Sequence, residues 1–261
     1  TDTGLLPDKP SYTSLMAAYG GNVEQVERIL KSMIQRKIEP HLPAYTSVVN
    51  SCAKAARKSP SEALVHKAIQ YVKEMKSKLV EPNDRTYTCL IDTMASSHYI
   101  DGPDGAKSFL LRKTDVEGFD IGCAAWTSVL FAYKARCELD QAKEWWKEMQ
   151  SRVPLDLQAY TCMVGCYAEA GDVDGALRIF ESMQQANVKP NGMTHHAILR
   201  AHARRGDIEG AFAWLQTMPD KGTAPNIVNY TQVLSPAATS PDMAERVLRH
   251  MAANGISPDK V

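Results

Sequence analysis

Six cysteines carry the most reactive side chains of this 261-residue chain, and their spacing can be compared with that of metal sites and disulfides. Cys162 and Cys166 are four residues apart, so on a helix their thiolates would face one side and could hold one metal ion. No His and no second Cys pair follows at the spacing of a zinc site. The others are scattered: Cys52, Cys89, Cys123 and Cys137. We therefore predict no metal site, and reduced, buried thiols instead.

The carboxylates show no pattern that would support catalysis. The sequence has no Gly-rich phosphate loop, no Ser nucleophile elbow and no HExxH helix. Several acids fall where helices are predicted to begin, which is where negative charge stabilises a helix: Asp140, Asp172, Asp174 and Asp207. We predict that these acids cap helices, and that the chain is not an enzyme and needs no cofactor.

The elements that would position any site are set by one pattern that recurs seven times. An aromatic residue or His is followed by apolar residues three and four positions on, and in most copies again seven positions on, which places one stripe on a helix. The stripes begin at Tyr12, Tyr45, Tyr87, Trp126, Tyr160, His195 and Tyr230. A stripe that recurs at this spacing predicts stacked helical repeats. His195 and His202 lie on it, so we predict core histidines with satisfied hydrogen bonds.

A second pattern, Ala or Val followed by two apolar residues and then Met, follows each stripe, although Lys113 takes the place of Met once. The Ala would allow two helices to approach closely and the Met would fill the gap before the next repeat. Trp145 and Trp146 fall at this core spacing. Pro residues are predicted to stop the second helices: Pro7, Pro40, Pro82, Pro190, Pro225 and Pro258. The predicted repeats are 9–41, 42–83, 84–122, 123–156, 157–191, 192–226 and 227–259, and are numbered first to seventh below.

Two of these repeats depart from the others. The second carries extra residues around 55–67, which predict a longer turn and a longer second helix. The third has an irregular turn around Gly102-Pro103-Asp104-Gly105, and because a solenoid is stabilised repeat by repeat, we expect its weakest joint there. No run of 18 apolar residues occurs, so no membrane span is predicted.

Two families of helical repeats fit this period, and they differ where the tetratricopeptide repeat has Gly one residue after the first helix's apolar Leu. This chain has bulky residues at that place: Met16, Val49, Ile91, Leu130, Val164, Leu199 and Leu234. With the recurrent Met, residues 9–259 resemble the pentatricopeptide repeat family, most fully from Ala159 to Asn191. The resemblance implies an all-α fold, an α-solenoid (right-handed superhelix) of seven helix-turn-helix repeats. Residues 1–8 look like the tail of a preceding repeat and residues 260–261 like the start of another.

The resemblance also implies binding of single-stranded RNA, one base per repeat, through the fifth and the last residue of each repeat. Carried over, the pairs are Thr13 with His41, Thr46 with Asn83, Thr88 with Gly122, Thr127 with Asp156, Thr161 with Asn191, His196 with Asn226, and Thr231 with Asp259. The family associates Thr and Asn with adenine and Thr and Asp with guanine. The implied target is N-A-N-G-A-N-G, running 5′ to 3′ from the N-terminal to the C-terminal repeats.

In this family, aliphatic residues at the second position of neighbouring repeats flank each base. Here that position holds Pro10, Pro43, Arg85, Ala124, Gln158, Met193 and Val228, of which only the last two fit well. Formal net charge is zero, whereas nucleic-acid binders usually carry a basic surplus. The candidate contacts to the RNA backbone are Lys54, Lys134, Arg200 and Arg204, with Asp92 and Glu169 opposing them.

Two functions therefore remain open. The first is sequence-selective RNA binding by an organellar factor, in the chloroplast stroma or the mitochondrial matrix, that processes, stabilises or enables translation of a transcript. The alternative is a scaffold that docks on protein or ribosomal RNA in a large organellar complex. The recurrent Thr or His at the fifth position favours the first, and the neutral charge favours the second. No targeting peptide is recognisable in this sequence.

Overall fold

The computed structural model describes residues 7–97, 102–219, 222–237 and 240–257. Within these ranges the chain forms fourteen α-helices and no strand. They are α1 Lys9–Ala18, α2 Val23–Gln35, α3 Leu42–Lys58, α4 Glu62–Ser77, α5 Asp84–Ala95, α6 Pro103–Leu111, α7 Cys123–Ala135, α8 Leu139–Arg152, α9 Leu157–Glu169, α10 Val173–Gln185, α11 Gly192–Arg205, α12 Ile208–Thr217, α13 Ile227–Ala237 and α14 Pro241–Ala253. The predicted Pro258 and Asp259 lie outside the described residues. No described helix is both long and apolar enough to cross a bilayer.

The chain divides into two compact halves, Thr1–Ala132 and Tyr133–Val261. In the N-terminal half, the first helices α1, α3 and α5 lie side by side, and each packs on the second helix of its own hairpin. In the C-terminal half, α9, α11 and α13 are arranged in the same way. The all-α hairpin architecture predicted from the stripes is thus confirmed in each half.

The predicted stripes are buried where a neighbouring hairpin covers them. Tyr45, Tyr87 and Tyr230 are among the largest fully buried side chains, as are Trp126 and Trp145. Two residues of the first stripe behave differently, because Leu15 and Tyr19 are each 46% exposed. The equivalent stripe residues of the second repeat, Val48 and Cys52, are fully buried, so the burial of a stripe position differs between repeats.

The second helices end before the prolines that were predicted to stop them. Each of five is followed, two to five residues after its end, by a residue with left-handed backbone geometry, and the carbonyl of the repeat's Met accepts a hydrogen bond from the N–H five residues later. The left-handed residues are Lys37, Leu79, Asn187, Gly222 and Gly255, and the carbonyls belong to Met33, Met75, Met183, Met218 and Met251. The Met therefore fills the core with its side chain and terminates the helix with its carbonyl.

The second and third repeats depart from the others in ways that the sequence described only in part. In the second, the extra residues lengthen both helices, to 17 and 16 residues, and the predicted longer turn is wrong. In the third, Pro103, Asp104 and Gly105 belong to α6, which is the shortest described helix at 9 residues. A π-helical turn, Arg112–Val116, follows it.

Lys113 replaces the recurrent Met within this π turn, and it is buried. Its ammonium lies 5.0 Å from the ring centroid of Tyr87 and 5.6 Å from that of Phe109, and it pairs with Glu117. The aliphatic part of the Lys side chain can fill the space of a Met side chain, while its ammonium contacts the faces of the aromatic rings. The departure from the repeat pattern is therefore accommodated inside the core.

Most of the predicted core assignments are confirmed. Four cysteines are buried thiols, and burial raises the pKa of Cys52 to about 12 and of Cys89 to about 11. Cys137 is exposed and Cys123 is only half-buried, so the prediction of buried thiols is wrong for these two. His202 is buried and its Nδ1 lies 2.9 Å from Oδ2 of Asp207, the satisfied hydrogen bond that was predicted.

Glycine is required at the start of α10 by close packing rather than by backbone geometry. A Cβ at Gly175 would lie 2.2 Å from Cδ1 of Tyr167. We predict that Gly175→Ala lowers the free energy of unfolding by about 1–3 kcal/mol through overpacking, although Ala favours helix formation. Gly192→Ala is the matched control, because a Cβ there meets nothing within 4 Å. Urea denaturation should place this control within about 0.5 kcal/mol of the wild type. Equal stability of the two variants would contradict the packing argument.

Candidate nucleic-acid interface

The last residue of a repeat is built into the start of the next first helix. Asn83 Oδ1 accepts a hydrogen bond from the N–H of Thr86 at 3.0 Å, and Asp156 Oδ1 accepts one from Ala159 at 2.8 Å. Asn191 caps α11 in the same way, with the N–H of Thr194 at 3.0 Å. An N-cap uses one side-chain oxygen, so an exposed Asn keeps its amide donors and an exposed Asp keeps its second oxygen as acceptor.

Of two further last residues, Asn226 makes the same capping bond and His41 does not. Asn226 caps α13 reciprocally: its Oδ1 accepts from the N–H of Asn229, and Oδ1 of Asn229 accepts from the N–H of Asn226. His41 precedes α3 without a side-chain capping bond. Burial, and then the charge of Lys9, lowers the pKa of His41, so its imidazole is neutral at pH 7.

The second repeat's predicted pair lies in a cavity of about 500 Å³ in the N-terminal half. Thr46 and Asn83 line this cavity together with Thr13 and the cation Lys54. Pro43 and Arg85, the second-position residues of adjacent repeats, also line it. An Arg guanidinium can stack on a base. Pro43 and Arg85 could therefore flank a base in this cavity, although neither is the aliphatic residue that the family has at the second position.

The sixth repeat's pair lies in a cavity of about 370 Å³ in the C-terminal half. His196 and Asn226 line it, and the exposed side chains of Met193 and Val228 are at its walls. Nδ1 of His196 is buried without a hydrogen-bond partner in the described part of the chain. Burial, and then Arg200, lowers the pKa of His196, so a neutral imidazole and an amide face an apolar slot.

The third repeat ends in Gly122, which has no side chain, but a carboxylate that the sequence analysis missed lies beside it. Asp84 Oδ1 accepts a hydrogen bond from the N–H of Gly122 at 3.0 Å and lies 3.4 Å from the hydroxyl of Thr88. Oδ2 lies 3.5 Å from the place of a Cβ on Gly122. The first residue of this repeat thus supplies an acceptor next to its fifth residue. No signal in the sequence indicated this contact, because Asp84 and Gly122 are 38 residues apart.

The remaining fifth residues bond within their own helices. The Thr13 hydroxyl donates to the carbonyl of Pro10 at 2.9 Å, that of Thr127 to Cys123 at 2.9 Å, and that of Thr231 to Ile227 at 2.9 Å. Thr231 is exposed, and its predicted partner Asp259 lies outside the described residues.

The predicted cations of the C-terminal half are held by an acid. Arg200 lies 2.9 Å and Arg204 2.6 Å from the two carboxylate oxygens of Glu169, whose side chain is only 15% exposed. Lys134 lies against α9, because a Cβ at Gly165 would be 2.8 Å from its Cε. The structure therefore brings Arg200 and Arg204 together, but in an ion-pair network rather than as free charges.

The N-terminal half holds a pair that the sequence analysis did not single out. Arg57 contacts both carboxylate oxygens of Asp92, each at 3.0 Å. Burial raises the pKa of Asp92, and Arg57 opposes that shift. Lys54, by contrast, is exposed and makes no ion pair with any residue that the structure describes. It is the predicted cation best placed to meet a phosphate.

The chain is a helical-repeat protein: its first helices lie side by side within each half, and each packs on the second helix of its own hairpin. Comparison with known families is more specific. The profile described as PPR repeat family matches residues 155–204, the pentatricopeptide repeat domain matches 1–55 and 213–261, and the PPR repeat matches 124–152 and 193–223. The chain belongs to the pentatricopeptide repeat family.

Similar proteins include organellar members of this family. The pentatricopeptide repeat-containing protein OTP51, chloroplastic, of Oryza sativa subsp. japonica is 26% identical over 204 residues, 75% of this chain and 25% of that protein. The small ribosomal subunit protein mL103 (rPPR7) of Arabidopsis thaliana is 23% identical over 195 residues, 72% of this chain and 44% of that one. The chain thus spans less than half the length of either relative.

Solved structures show the same fold. The pentatricopeptide repeat protein PPR10 from maize matches with a TM-score of 0.77 at 22% identity, over 98% of this chain and 35% of that one. PPR10 in complex with an 18-nt psaJ RNA element matches with a TM-score of 0.73 at 20% identity, over 98% and 36%. The fold class implied by the resemblance is therefore confirmed.

The neutral histidines predict a dependence of stability on pH. The ordinary His pKa is 6.5 and the folded state lowers it for His41 and His196, so below that pH the unfolded chain binds more protons. Their contribution to the free energy of unfolding should be fully present above pH 6.5 and should decrease as the pH falls below it. His196→Gln should flatten the change of the urea midpoint between about pH 7.5 and about pH 5.5. His66→Gln, at an exposed site on α4, is the matched control, and an equal flattening there would contradict the assignment.

Proposed function

We propose that this chain binds single-stranded RNA along the exposed side of its first helices, one base per repeat. The observation that carries the proposal is that the fifth and last residues of a repeat line one cavity with flanking second-position side chains, as Thr46 and Asn83 do. A base fits such a slot by stacking on the flanks and bonding through its Watson–Crick edge. The cavity formed by His196 and Asn226 supports it independently.

The similar proteins support this reading and suggest the setting. Solved relatives are in complex with RNA, an 18-nt psaJ element for PPR10 and tRNA for the protein-only RNase P 1 of Arabidopsis thaliana. Relatives are described as chloroplastic or mitochondrial. We infer an organellar transcript factor, acting in processing, stabilisation or translation. The predicted order N-A-N-G-A-N-G, 5′ to 3′ along the repeats, belongs to this proposal.

A scaffold in a ribosomal complex is the second candidate, and two observations favour it. Glu169 neutralises much of the charge of Arg200 and Arg204, and one relative is a ribosomal subunit protein. A chain of this kind would bind short single-stranded RNAs weakly and without preference for base. Titration of the whole chain with randomised seven-mers distinguishes the two, because base recognition requires enrichment at defined positions.

The capping chemistry gives the first functional prediction. Asn191→Asp keeps the N-cap oxygen but exchanges the outward amide donor for an acceptor. At the fifth base, the preference should move from adenine toward guanine by about tenfold, the effect of one or two hydrogen bonds. Asn187→Asp is the matched control, since Asn187 lies in the left-handed turn after α10. A shift of preference in the control, or none in Asn191→Asp, would remove this residue from base recognition.

Charge gives the second functional prediction. Lys54→Gln should weaken binding to every sequence alike and lower the slope of log affinity against log salt by about one, as loss of one phosphate contact does.

Glu169→Gln should strengthen binding to all sequences, because it frees Arg200 and Arg204 from their ion pairs. Removal of both arginines should weaken every RNA similarly without changing the order of preference. Fluorescence anisotropy at several salt concentrations measures all three, and a change in base preference would contradict a phosphate role.

A further inference from the structure

Two buried threonines connect the fifth and last residues of a repeat. Thr86 and Thr194 are the third residues of the repeats that follow, and both are fully buried. Oγ1 of Thr86 lies 2.9 Å from Oγ1 of Thr46 and 2.9 Å from Oδ1 of Asn83. A continuous hydrogen-bonded chain therefore runs from the fifth residue, through the next helix, to the last residue.

The same chain forms in the C-terminal half. Oγ1 of Thr194 lies 2.9 Å from Oγ1 of Thr161 and 3.1 Å from Oδ1 of Asn191. Since the two chains occur in separate halves with the same partners at the same positions, the arrangement is a property of the residue types. Both belong to the repeats whose pair is Thr with Asn.

The direction of the protons in this chain follows from the capping bond. Asn83 Oδ1 accepts from the backbone N–H of Thr86, which identifies that atom as the oxygen and turns the amide group outward. The hydroxyl of Thr86 must then donate its one proton to the same oxygen. Toward Thr46 it can only accept, so Thr46 donates. Thr46 is left with a lone pair, and Asn83 with amide protons, to offer a ligand.

Whether the hydroxyl of a fifth residue bonds across helices correlates with the third residue of the next repeat. Where the next repeat has Ala44 at the third position, the hydroxyl of Thr13 turns back to the carbonyl of Pro10. Ala125 is the corresponding residue after Thr88, whose hydroxyl likewise bonds within its own helix, to Oδ1 of Asp84 at 3.4 Å. Thr13 and Thr88 thus bond locally, whereas a fifth residue that meets Thr86 or Thr194 bonds across helices.

We propose that Thr86 and Thr194 are specificity-determining positioning residues, which fix a hydrogen-bond acceptor beside a donor at the second and fifth base positions. The inference rests on the proposed RNA-binding function and deepens it. Adenine and cytosine present an amino donor beside a ring-nitrogen acceptor, which complements that order. Guanine and uracil present a carbonyl beside an N–H, which opposes it at both atoms. Neither threonine contacts the base, because both are buried beneath the residues that do.

The experiment measures base preference in the whole chain with seven-mers that carry each of the four bases at the second or the fifth position. Thr86→Val keeps the shape and removes the hydroxyl. It should reduce the preference for adenine over guanine about fivefold at the second position, the effect of one hydrogen bond, and leave the fifth unchanged. Thr194→Val should give the reverse pattern. Thr86→Ser should restore the preference.

Thr93→Val is the matched control, since Thr93 is equally buried in α5 and its hydroxyl donates to the carbonyl of Cys89 at 2.7 Å, away from the pair. It should change neither preference. Wild-type preference in Thr86→Val and Thr194→Val would overturn the inference while RNA binding stands. Failure of the wild type to bind any seven-mer would overturn the proposed function together with it. If Thr86→Val does not fold, Thr194→Val decides alone.

Discussion

The hydrogen bond between the last side chain of a repeat and a backbone N–H three residues later is the constraint on which the rest depends. It starts each capped first helix, and it is worth about 1 kcal/mol for a good cap. Because Asn83, Asp156 and Asn191 all make it, the atom that remains exposed is determined by the side chain's chemistry. Helix initiation and the polarity of the surface are therefore set by one bond.

Exceptions to this bond show what it provides. At Gly122 no side chain can cap, and the carboxylate of Asp84 bonds to the glycine's N–H instead. Asp84 belongs to α5, the first helix of the same repeat. Its carboxylate gives this repeat a hydrogen-bond acceptor that Gly122 cannot supply. At His41 no such bond forms, and burial lowers the pKa of the imidazole.

Three arginines on the first helices are paired with acids of neighbouring repeats. Arg57 with Asp92, and Arg200 and Arg204 with Glu169, each join one first helix to the next. These pairs agree with a formal net charge of zero. In the proposed RNA complex they would lower the electrostatic contribution, so that hydrogen bonds and flanking apolar groups would count for more of the binding than attraction to phosphate.

The sequence by itself determined the hairpins, because a stripe at helical spacing can be buried only by a neighbouring helix, and Tyr45, Tyr87 and Tyr230 are buried accordingly. It also indicated two of the N-caps, Asp172 and Asp207, because these carboxylates bond to backbone N–H groups only three residues away. Contacts between helices were not accessible to it. The meeting of Thr46 with Thr86, the pairing of Glu169 with two arginines and the place of Lys113 on Tyr87 depend on residues 26–40 positions apart or on a local π turn. Only the packing of one hairpin on the next decides which of these side chains touch, because their partners lie on different helices.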